Sequence, residues 1–169
     1  VTDAPRLQVS GIDAPELRAL YDVWRRAYES DGRLPTRDQL GFAELLPWLG
    51  RLAVFDLSSD PARVVLWGTG LVDKTGVELT GRRVENAAFG AFASALEGLL
   101  AKVANERWPS VARGTLDWCD RPWQGTEHLY MPLSESGGRA TRVLAAFVRD
   151  SLPTAPPLPF NAGRSGRFG

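Results

Sequence analysis

The side chains best able to do chemistry in this 169-residue chain are few and far apart. His128 is the single histidine and Cys119 the single cysteine. One imidazole has no second imidazole with which to share a metal, and no GxSxG or HExxH pattern surrounds it, so neither a hydrolytic triad nor a zinc centre is spelled out. One thiol excludes an intrachain disulfide and a cysteine-cluster zinc site. His128 therefore reads as a structural or surface histidine and Cys119 as an inert small side chain. No catalytic residue and no metal ligand is assigned.

The carboxylate that stands out is Glu97, the one acidic residue inside a long apolar helix before its end, flanked by Leu96 and Leu99. An enzyme on a one-sheet, one-long-helix scaffold, such as a hotdog-type thioesterase, would use it, and this is the alternative functional reading. Glu97 has no partner in the pattern, which favours a solvated carboxylate and a non-enzymatic protein.

Basic and acidic residues balance at 20 each, and the arginines are scattered, so the field that gathers nucleic acid or anionic lipid is missing. No apolar run reaches the roughly 18–20 residues that cross a bilayer, and the first residues lack a secretory-signal pattern. A cytoplasmic location is expected, with neither nucleic acid nor membrane as a partner.

The elements that would position these side chains follow from periodicity. Residues 1–13 form a lead-in. Over 14–31, Leu17, Leu20, Tyr21, Trp24 and Tyr28 recur at three- and four-residue steps between charged residues, which predicts an amphipathic helix. Asp13 is its expected N-cap, Pro15 suits its first turn, and Gly32 ends it. A helical turn over Phe42–Leu46 stops at Pro47. Strands are expected over Leu49–Leu57 and Ala62–Thr69, joined by the turn Ser58-Ser59-Asp60-Pro61. Frequent glycines then allow only short helical turns. A longer helix over Ala87–Glu106 places Phe89, Phe92, Leu96, Leu99, Leu100 and Val103 on one face. Three antiparallel strands follow, over Ser110–Trp118, Thr126–Leu133 and Thr141–Asp150. The last, with VLAAFV apolar on both faces, reads as a central strand. The domain thus occupies 14–150, and the Pro-, Gly- and Arg-rich residues 151–169 form a flexible tail.

Five motifs occur in order: Gly32-Arg33-Leu34-Pro35-Thr36-Arg37-Asp38, Leu45-Leu46-Pro47, Gly68-Thr69, the GVELTG run of Gly76–Gly81, and Met131-Pro132-Leu133. In this order they resemble one branch of bacterial PAS-like proteins, over Leu17–Asp150. The resemblance implies an α+β fold with a five-stranded antiparallel sheet of order 2-1-5-4-3, helices on one face, and an extra N-terminal amphipathic helix. It also implies a sensory or regulatory module that binds a small ligand or a signalling protein. A haem-binding PAS domain would use a histidine on the long helix, and none is there. The short-helix region LVDKTGVELTGR lacks the reactive cysteine motif of flavin photoreceptors. Haem and flavin are accordingly disfavoured, and no cofactor is assigned.

In such a fold Trp67, Thr69, Trp118 and Tyr130 would point inward from the strands toward Phe89, Phe92 and Leu96, making these seven the candidate pocket. The rings either leave room for an unidentified small ligand or fill the space themselves. PAS domains with N-terminal helices often dimerise through them. The stripe of Leu17, Leu20, Tyr21, Trp24 and Tyr28 therefore either meets a second copy or covers its own sheet.

Overall fold

The computed structural model describes residues 6–149. The tail expected over 151–169 lies outside the described residues. Five strands, β1 (Leu52–Asp56), β2 (Arg63–Trp67), β3 (Ser110–Leu116), β4 (Arg121–Leu133) and β5 (Arg142–Arg149), form one antiparallel sheet in the order β2-β1-β5-β4-β3. The strand that is apolar on both faces, β5, is the central one. Its Val143, Ala145 and Phe147 enter one buried cluster and its Leu144, Ala146 and Val148 the other.

Each face has its own helical cover. On the inner face lie α4 (Thr69–Thr75), α5 (Asn86–Phe89) and α6 (Phe92–Glu106). The added N-terminal helix, α1 (Pro15–Asp31), packs on the outer face with α2 (Arg37–Leu40) and α3 (Phe42–Leu45). Thr36 caps α2 in a reciprocal box with Gln39, and Leu34 N–H and Pro35 C=O bond to the β4–β5 region at Gly137 and Ser134. Much of the Gly32–Asp38 motif therefore serves to turn the chain from α1 and clip it to the sheet end.

Three expected elements are corrected. The first strand starts at Leu52, because Leu46–Arg51 winds into a 3-10 helix before it. A Cβ on Gly68 would lie 2.5 Å from the Gly50 carbonyl oxygen, and one on Gly70 would lie 2.7 Å from it. This backbone-on-backbone packing bends the chain at both places, so the second strand also stops short, at Trp67. The long helix is likewise divided, since Gly90 has φ +56°, a conformation outside the helical region that separates α5 from α6.

Candidate functional site

Strand alternation decides which side chains meet. Along β4, Thr126, His128 and Tyr130 point to the inner face, and Glu127, Leu129 and Met131 to the outer one. All six are buried.

On the inner face the polar trio forms a hydrogen-bonded ladder. Tyr130 Oη lies 3.1 Å from His128 Nδ1, the Thr126 hydroxyl meets His128 Nε2, and Thr126 donates to the Gly114 carbonyl at 3.2 Å. Because the threonine proton goes to that carbonyl, the network assigns a neutral imidazole protonated at Nε2, with Nδ1 accepting from Tyr130. Burial, and secondarily the charge of Lys74, holds the His128 pKa down to about 3. Burial also pushes the Tyr130 phenol far above its ordinary range.

Aromatic rings enclose the ladder. His128 sits 4.5 Å from the Phe147 ring centroid and 6.2 Å from that of Phe92, edge to face. Trp67 meets Phe89, Trp118 and Phe147 at 5.8–6.4 Å. Phe92 stacks on Trp118 with 17° between planes. Leu96 closes the cluster from α6. Phe92 and Trp118 are only half-buried, so these two rings form its rim.

Six of the seven expected pocket residues thus converge: Trp67, Phe89, Phe92, Leu96, Trp118 and Tyr130. Thr69 does not. It opens α4 rather than ending β2, and it is exposed. His128, expected to be structural or at the surface, is buried and hydrogen-bonded within the cluster together with Thr126. The spacing Thr126-x-His128-x-Tyr130 is the pattern that could have found this.

On the outer face the Glu127 carboxylate accepts from the backbone N–H groups of Asp13 and Ala14, at 3.0 and 2.8 Å, and from Arg113 Nε at 2.8 Å. Arg113 also reaches Asp13 Oδ2 and the Gly11 carbonyl. The N-cap of α1 is Ala14, which makes no side-chain cap bond. The expected capping by Asp13 is replaced by a carboxylate from the sheet, placed where the helix dipole favours negative charge.

The interface candidates Leu17, Leu20, Tyr21 and Trp24 are buried within their own chain. Trp24 Nε1 donates to the Pro132 carbonyl at 2.9 Å, and Tyr28, half-buried, stacks on Trp24. Outer-face Leu129, Met131, Leu144 and Val148 supply the apolar partner, so as folded the stripe is not offered to a second copy. Among the described residues no group of histidine, cysteine and carboxylates could hold a metal ion, and no helix is long and apolar enough to cross a membrane.

Comparison with known proteins adds three findings. A family model described as a PAS domain matches residues 12–148. The PAS domain of Bordetella pertussis BvgS is similar at 21% identity and TM-score 0.52, over 69% of this chain and 89% of that one. VqmA, in a structure described as bound to DPO, is similar at 16% identity and TM-score 0.53, over 65% of this chain and 57% of that one. No curated protein matches the chain.

Proposed function

This chain belongs to the PAS domain family, whose model spans residues 12–148, and on that premise we propose that it admits a small molecule to the inner ring cluster and reports the event to α1 through β4. PAS domains are in general sensory modules rather than enzymes. Glu97, the residue the enzymatic alternative would need, lines a cleft that none of the ring-cluster residues lines. The ligand class that suits the cluster is flat and mostly apolar with one hydrogen-bonding group. Phe92 and Trp118 at the rim would part to stack on it, and His128 or Tyr130 would meet its polar atom.

The observation that carries this reading is the alternation along β4. His128 and Glu127 are neighbours in sequence on opposite faces, one inside the ring cluster and the other holding the start of α1. A ligand that redirects the imidazole shifts the strand, and the same shift strains the carboxylate's bonds to Asp13 and Ala14. Signalling then amounts to differential affinity for two packings of α1. In the loosened packing, Leu17, Leu20, Tyr21 and Trp24 become available to a second copy or to a signalling protein.

The test is titration with fractionated metabolite extracts, following the His128 imidazole resonances by NMR and amide exchange over residues 13–18. A fraction that moves the imidazole should also speed exchange in α1. Failure of any fraction to move His128, or an unchanged α1, removes the reading. The dense ring packing favours a second one, in which the module docks a protein without any small molecule. Extracts would then leave His128 unmoved, while a protein partner would alter α1.

A further inference from the structure

A cleft of about 790 Å³ runs between α6 and the β1–β2 and β4–β5 turns, within the roughly 300–1,000 Å³ typical of small-ligand sites. None of the ring-cluster residues lines it. Its α6 wall carries Glu97, Leu100, Ala101 and Ala104, which recur at helical spacing along one stripe, and Arg107, the left-handed C-cap just past the helix end, lines the cleft beyond them. The two alanines are small enough to leave the volume open.

Four charged residues line the cleft: Asp60, Glu97, Arg107 and Arg139. None of them is held in an ion pair or side-chain hydrogen bond among the described residues. Two hydroxyls of lining residues, Ser59 Oγ and Thr141 Oγ1, are enclosed by the protein and have no hydrogen-bond partner among the described residues.

We infer that this cleft is a second binding site, for a short peptide with free termini. The four charges sum to zero, which matches neither a polyanion nor a polycation. From Glu97 to its last residue, Glu106, α6 rises roughly 13 Å, and Arg107 follows directly as its C-cap. The wall is therefore negative toward one end and positive toward the other, with apolar and small residues between. Its complement carries an ammonium and a carboxylate at opposite ends of a polar backbone. An extended peptide advances about 3.3 Å per residue, so three or four residues with the reach of the two side chains fill the interval. A single amino acid is too short to engage both ends. The ammonium lies at Glu97 and the carboxylate at Arg107. This site does not depend on the ring cluster's sensing role.

Tetraalanine, its N-acetylated form, its C-amidated form and free alanine are the probes, read by calorimetry and by amide NMR. Free tetraalanine should bind and shift the amides of Ala101, Ala104 and Thr141. Blocking either terminus, or using free alanine, should weaken binding by about tenfold or more, as expected for loss of one charged contact. Glu97→Gln should weaken tetraalanine but not the acetylated peptide further, and Arg107→Gln should do the same for the amidated one. Glu97 is half-buried on α6 and Arg107 is exposed at its C-cap, so the fold should survive either change. No binding by any probe, equal binding of blocked and free peptides, or shifts confined to Trp67, Phe92 and His128 would each overturn the inference. The last result would leave the sensing proposal standing.

Discussion

At the scale of single residues, the buried imidazole of His128 makes stability depend on acidity in a defined direction. Its pKa in the folded chain is held down to about 3, against about 6.5 when solvated. The folded protein therefore keeps the ring neutral, while the unfolded chain takes up a proton as pH falls below about 6.5. Stability is lost progressively from there down to the folded value. Between pH 7 and pH 5 this one group should remove about 2 kcal/mol. Urea unfolding of wild type and His128→Gln at both pH values isolates it, because other titrating groups are common to the two proteins. Parallel slopes would mean that the native ring is solvated or charged. The importance of His128 was hard to read from the sequence because a lone histidine forms no metal or triad pattern. Its partners lie two residues away on the same strand, where only the alternation of faces brings them together.

At the scale of elements, most of the order was legible because it rests on local signals. The stripe from Leu17 to Tyr28 gives α1, and the two-faced apolar run gives β5 its central place. What was not legible depends on chain segments meeting across the fold. The packing of Gly50 on Gly68 and Gly70 shortens two strands and turns Thr69 out of the pocket. The cap of α1 likewise comes from Glu127, more than a hundred residues along the chain. That long-range cap can be tested. Glu127→Gln keeps the shape but leaves a weaker acceptor facing two N–H groups and Arg113. Hydrogen bonds to charged groups contribute about 1.5–3 kcal/mol each in favourable settings, and Arg113 is partly exposed, so a loss of about 1–3 kcal/mol is expected. Amide exchange at Asp13 and Ala14 should rise well beyond any change in β5. A uniform rise across the chain would mean that Glu127 supports the core generally rather than the start of α1.

At the scale of the whole molecule, the sheet is a partition between two cores, and the extra helix is what makes the second one possible. The inner cluster is closed by α4, α5 and α6, whereas the outer cluster is completed by a single long helix and its short followers. Trp24, Trp48 and Trp108 belong to the outer core, and Trp67 and Trp118 to the inner one. Burying each large side chain of the α1 stripe contributes about 1.5–3 kcal/mol, so removing the helix costs several such increments at once. It also leaves Leu129, Met131, Leu133, Leu144 and Val148 facing water as a continuous apolar surface. A chain beginning at Arg33 should therefore associate. Sedimentation velocity should show larger, concentration-dependent oligomers or aggregates than the full chain forms at the same concentrations. Adding a synthetic peptide of residues 6–32 should restore the full chain's sedimentation behaviour, because the outer face regains its partner. A truncated protein that remained monomeric and natively folded would show that α1 is a detachable appendage. The route from β4 to that helix would then have nothing to act on.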